Sequence, residues 1–167
     1  MALQQVNKVV ADGTSSSLIC TGIDDNSVYA LVTLNANITS SNKRLYLRVS
    51  KSGSLDSSSN YRYATQYQYQ SNTNFDADTN ENQPQMQSVV LGYTDNVLNE
   101  FAYLYDFHES NTYPKVQFQR TMFTNTNTYH RHGMFTLAER ETCDGIGFVT
   151  SGGNVASGTT LVLYKVV

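Results

Sequence analysis

The chain has 167 residues, 40% of them hydrophobic and 15% charged, with 11 Lys plus Arg against 14 Asp plus Glu and a net charge of −3. That length suits one domain with a real core, and a charged fraction well below the usual quarter argues against a helix-rich chain studded with Lys and Glu. No basic run marks an electrostatic footprint for nucleic acid, and no apolar run reaches the roughly 20 residues that a membrane-crossing helix needs.

Asn, Ser, Thr, Gln and Tyr take the place of the charges; Tyr occurs 12 times and Trp not at all. Such polar residues compete with helical hydrogen bonding, while Thr and Tyr suit a pleated surface. Strand-like apolar runs recur from end to end, which argues against a disordered chain. Residues 1–15 are expected as an extended N-terminal arm that ends in the turn-prone Ala11-Asp12-Gly13-Thr14-Ser15. Its start, Met1-Ala2-Leu3-Gln4-Gln5, lacks a basic region followed by an apolar stretch, so the chain is expected to be made without a signal peptide.

Period-two segments follow in order. Residues 18–23 form the first strand. In residues 28–35, Val28, Ala30, Val32 and Leu34 share one face. Leu45, Leu47 and Val49 then alternate with Tyr46, Arg48 and Ser50. Tyr61, Tyr63, Thr65, Tyr67 and Tyr69 alternate with Arg62, Ala64, Gln66, Gln68 and Gln70, the signature of a half-buried antiparallel strand. The polar stretch 71–85 reads as the longest loop. Residues 86–92 are short and apolar. Phe101, Tyr103, Tyr105 and Phe107 form an aromatic ladder, with Phe101 and Phe107 expected in the core. Val116, Phe118, Arg120 and Met122 alternate again, 134–138 is a weaker strand, and 146–150 and 159–166 close the chain.

Helix formers gather only at Leu137-Ala138-Glu139-Arg140-Glu141, about one turn. Pro84 and Pro114 sit between strands, where a missing donor does no harm. No linker or fixed-period repeat divides the chain. The expectation is one domain over residues 1–167, an all-β antiparallel jelly-roll-like sandwich of about 8–10 strands. An immunoglobulin-like sandwich fits less well, since it usually needs about 100 residues and often has a core Trp.

Two segments carry a resemblance. One is Leu45-Tyr46-Leu47-Arg48-Val49-Ser50-Lys51-Ser52-Gly53, followed by Asp56-Ser57-Ser58-Ser59-Asn60-Tyr61-Arg62-Tyr63-Ala64. The other is Ile146-Gly147-Phe148-Val149-Thr150-Ser151-Gly152-Gly153-Asn154-Val155-Ala156-Ser157-Gly158, leading into Leu161-Val162-Leu163-Tyr164. Together they cover roughly a quarter of the chain and resemble small β-rich virion proteins of marine tailed phages, cyanophages among them. Val155 stands where Ile is usual in that group, and Lys165 where Gly is common. The resemblance implies a jelly-roll-like virion component made in the host cytoplasm.

The tail motif also makes physical sense. Ser151-Gly152-Gly153-Asn154 can supply left-handed conformations for a tight connection. In the last strand Thr160, Val162 and Tyr164 face one way and Leu161, Leu163 and Lys165 the other. Apolar groups on both sides imply cover on both sides, from a second sheet or a neighbouring subunit.

Chemistry has few footholds. His130 and His132 share a strand face and need further ligands to hold a metal; the plainer reading is a polar strand end. Asp76, Asp78 and Asn80 match the first three positions of a calcium loop. The match then fails, with Glu81 where the sharp-turn Gly belongs and Gln87 where the bidentate Glu belongs. No G-x-S-x-G stands after a strand, and nothing singles out two carboxylates from Glu100, Asp106, Glu109, Glu139 and Glu141. Cys20 and Cys143 are expected as reduced core residues, with a single bridge left open. No catalytic, cofactor or metal residue is therefore assigned.

Tyr61, Tyr63, Tyr67 and Tyr69 are the candidate contact residues, as a subunit interface or a platform for host-surface glycan. The functional expectation is a non-enzymatic capsid decoration or head-surface protein. It would assemble with itself, as a trimer, and with other virion proteins such as the major capsid protein. A tail-fibre or baseplate part and a glycan-binding adhesion module are the alternatives.

Overall fold

The computed structural model describes residues 2–70, 75–91, 96–123 and 128–167. Among them are thirteen strands and no helix. In chain order they are β1 (Leu3–Val10), β2 (Ser17–Thr21), β3 (Tyr29–Ala36), β4 (Lys43–Lys51), β5 (Ser54–Leu55), β6 (Tyr61–Tyr69), β7 (Asp76–Gln83), β8 (Met86–Leu91), β9 (Val97–Tyr105), β10 (Lys115–Phe123), β11 (Thr128–Leu137), β12 (Gly145–Thr150) and β13 (Thr160–Val166). All pairings are antiparallel. A wide sheet runs β1-β13-β3-β9-β10-β11-β6-β7, and a smaller one runs β2-β12-β4-β5, with β8 also on β4.

Eight of these strands make a jelly roll. Half the roll is β1-β13-β3-β9 in the wide sheet, and the other half is β2-β12-β4-β8 in the smaller one. The chain passes repeatedly from one half to the other, which is the double Greek key of that fold. The remaining strands are insertions. β5, β6 and β7 lie between β4 and β8 in sequence, and β10 and β11 between β9 and β12. Four of them extend the wide sheet past the roll.

The expected strand count of about 8–10 is thus too low, and each of the three missed strands lacks a run of buried alternation. β1 is an edge strand whose side chains are largely exposed, so it shows no buried face. The expected arm at residues 1–15 is in fact tied to β13 along most of its length. β5 has two residues and follows a tight turn in which Ser52 and Gly53 both have positive φ. β7, Asp-Ala-Asp-Thr-Asn-Glu-Asn-Gln, falls in the stretch expected as a loop; its hydrophilic side chains suit a sheet edge. Residues 71–74 of that stretch, and Gly92, lie outside the described residues.

Between the sheets, the inward positions of the roll are aliphatic. Leu31, Leu45, Leu47, Val49, Ile146, Leu161 and Leu163 are essentially without exposed surface, and each such side chain contributes about 1.5–3 kcal/mol on burial. Cys20 and Cys143 are free thiols in this core. Burial pushes them up to about 11 and about 12 respectively, so neither is a ready nucleophile. The tight connection expected near the C-terminus forms at Gly153, where φ is 73° and a Cβ would lie 2.3 Å from the Ser40 hydroxyl oxygen.

Candidate functional site

Register across the wide sheet defines its outer face. One row is Lys8, Val162, Val32, Phe101, Gln119, His132, Gln66 and Ala77, taken strand by strand from β1 to β7. The next is Gln5, Tyr164, Ala30, Tyr103, Gln117, Met134, Ala64 and Thr79. Side chains of one parity share a face, and the smaller sheet packs on the opposite side. Of the sixteen positions one is charged, Lys8 at the edge.

The face changes character along its width. Over β1, β13 and β3 it is largely apolar: Leu3, Val10 and Leu34 are 48%, 53% and 43% exposed around half-buried Val32 and buried Val162 and Ala30, with Gln5, Lys8, Thr160 and Tyr164 among them. Val10, Thr160 and Leu34 form a further cross-strand row. Over β9, β10, β11, β6 and β7 it carries amides, imidazoles and rings. Two adjoining hollows of about 440 and 450 Å³ open there. Ala64, Gln66, Ala77, Thr79, Gln117 and Met134 line the first; Phe101, Tyr103, Gln119 and His130 line the second, and His132 borders both.

The expected core role of Phe101 is corrected here. Phe101, Tyr103 and Tyr105 point outward from β9, while Leu98, Glu100, Ala102 and Leu104 point in. The aromatic ladder is the outer face of a strand whose inner face is aliphatic and acidic. Phe107, beyond the strand, is buried as expected.

Of the four candidate tyrosines, Tyr61 is 0% exposed, and its hydroxyl accepts a hydrogen bond from the Val49 amide. Burial raises its pKa, and it has no surface to offer a partner. Tyr63 packs edge-on against Phe135. Tyr67 and Tyr69 join Tyr129 in a cluster with centroids 4.9–5.8 Å apart. All four lie on the inner parity of β6, so they do not form one outward platform.

The inner face of the wide sheet, from β3 across to β6, holds a feature absent from the sequence reading. Thr33, Glu100, Arg120, Arg131 and Tyr67 are cross-strand neighbours in register. Glu100 and Arg120 are both buried, 2.6 Å apart. Burial pushes the Glu100 carboxyl up, against the pull of Arg120, and the same burial pushes Arg120 down. Arg120 lies 4.4 Å over the Phe118 ring, which stacks on Phe135. Arg131 donates to Thr65, Tyr129 and, at 2.9 Å, Asp78, and lies over Tyr67. Two guanidinium groups sit side by side, with a carboxylate at either end. Single alternating residues gave no sign of this, because the four charged groups come from four strands.

The remaining candidates resolve into local contacts. Asp76, Asp78 and Asn80 stand on β7 rather than on a loop, and Asp78 is engaged by Arg131. His130 and His132 share a face with centroids 5.7 Å apart, and among the described residues no group of three His, Cys, Asp or Glu gathers to hold a metal. Asp106 pairs with Lys115, Glu109 accepts from Asn26, and Glu139 and Glu141 both pair with Lys51. Lys51 also holds Asp56 at 3.2 Å. Burial alone would raise the Asp56 carboxyl, but Ser58 and Lys51 outweigh it and hold it below the usual carboxylate range. Compared with known protein families and with curated proteins, the sequence matches none.

Proposed function

We propose that this chain is a non-enzymatic virion structural protein of a tailed phage, a head-surface decoration subunit that assembles as a homotrimer on the major capsid protein. The observation that carries the assembly is the apolar third of the outer face. Leu3, Val10 and Leu34 are exposed on that face, beside the half-buried Val32. Large apolar side chains exposed together on one sheet face mark a protein contact. The phage assignment is supported by the two sequence segments quoted above, which fall on β4 through the start of β6 and on β12, its connection and β13.

Cryo-electron microscopy of the intact particle tests both parts. Many copies at symmetry axes of the head are expected, with the β1–β13–β3 face at a subunit contact. A few copies at the tail would overturn the decoration role, and absence from the particle would overturn the virion role.

A further inference from the structure

The geometry points to a second, independent site: the hollows over β9, β10, β11, β6 and β7 bind a neutral polysaccharide. Five strands at about 4.8 Å spacing give a groove about 19 Å long, crossing the strands. Its lining holds no Lys, Arg, Asp or Glu, so it offers nothing to select an anionic chain. What it offers are groups that donate and accept at once. Gln66, Gln117 and Gln119 are exposed, one on β6 and two on β10, flanking His132 on β11. Among the described residues no side-chain hydrogen bond engages the amide of Gln66 or Gln119; that of Gln117 accepts a long one, 3.5 Å, from Tyr105. A Gln amide presents both an acceptor oxygen and two N–H donors, the complement of a hydroxyl pair that must both give and take.

One end supplies the apolar contact that a sugar ring needs. Phe101 and Tyr103 meet edge to face at 5.0 Å, so their planes are nearly perpendicular, and an aromatic face attracts the weakly positive C–H edges of a ring. Small side chains at Ala64, Ala77 and Thr79 leave the other end open. A protein partner is favoured less, because the hollows are lined by exposed amides and small side chains, with apolar anchors limited to Phe101, Tyr103 and Met134. The site lies on β9 and the four strands added beyond it, away from the apolar third proposed for self-assembly.

The test uses the full chain on a printed array of neutral glycans beside sulfated and sialylated ones. Binding to at least one neutral class is expected, with Gln117→Ala and Gln119→Ala each weakening it about three- to tenfold, the worth of one hydrogen bond. Met134→Glu places a charge in the groove and is expected to abolish binding without changing the thermal transition. Binding to anionic glycans alone, to none, or equally by Met134→Glu would overturn the inference. So would a change in sedimentation on Met134→Glu without glycan binding, which would make the groove a protein contact. None of these outcomes bears on where the protein sits on a particle.

Discussion

The eight-strand roll and the strands added beside it are built on different principles. The roll fills its interior with Leu, Ile and Val, and its outer third is apolar too. The added strands place Arg120, Arg131 and Asp78 on their inner side, against Glu100 of the adjoining β9, and amides on their outer side. An aliphatic interior tolerates small changes of shape and gives most of the stability. A buried charge row gives little net stability but admits few arrangements, because each charge left unpaired is expensive. The roll is therefore the source of stability, and the extension is the part whose geometry is most narrowly set.

The sharpest way to break this contrast is to remove one charge. Glu100→Gln leaves Arg120 beside Arg131 without its buried carboxylate and is expected to cost about 3–5 kcal/mol in urea unfolding. The paired replacement of Glu100→Leu with Arg120→Met is expected to cost far less, because no charge is stranded. An equal loss in both would mean that the row stabilises the fold outright. In the roll, Leu163→Ala should cost about 2–5 kcal/mol through lost burial and a residual cavity, and no second substitution should rescue it.

Gly133 marks the seam where β11 meets β6. A Cβ there would lie 2.4 Å from the Ala64 carbonyl oxygen. Gly133→Ala is expected to cost about 1–3 kcal/mol, with hydrogen exchange faster in β6 and β11 than in β13. Uniform acceleration would show that the two regions unfold as one unit.

Smaller effects come from charge at the margin. Because Asp56 is held below its ordinary value, its contribution is present above the usual carboxylate range and fades as pH falls through its folded-state value. The urea midpoint should drop on acidification, and Asp56→Asn should flatten that drop. Leu34→Asp, on the exposed apolar third, should change stability by no more than about 0.5 kcal/mol while shifting sedimentation from trimer to monomer. An unchanged trimer would move the self-contact elsewhere.

How much of this was legible depended on burial. Strands with one buried face, such as β4 with Leu45, Leu47 and Val49, were visible as alternation. β7 was not, since both its faces are polar, and its carboxylates resembled a calcium loop. The tyrosines of β6 were visible as a stripe, but periodicity reports that residues share a face, not which face is covered. Tyr61 therefore went to the core, and Phe101, expected there, came out. The outer groove was hidden for a further reason. Gln66, Gln117, Gln119 and His132 come from three strands, and an ordinary polar alternation gives no clue to the neighbours that register supplies.

β7 has a consequence for life at high concentration. It closes one side of the wide sheet with Asp76, Asp78 and Glu81, and Arg62 beside it approaches Glu81. An open edge is a template on which another chain can add a strand, and like-charged carboxylates repel an identical edge brought against them. The opposite edge, β1, carries Lys8 and no carboxylate. Copies crowded together are thus discouraged from joining β7 to β7. A ribbon built through β7-to-β7 contact, one route to insoluble fibre, is thereby disfavoured.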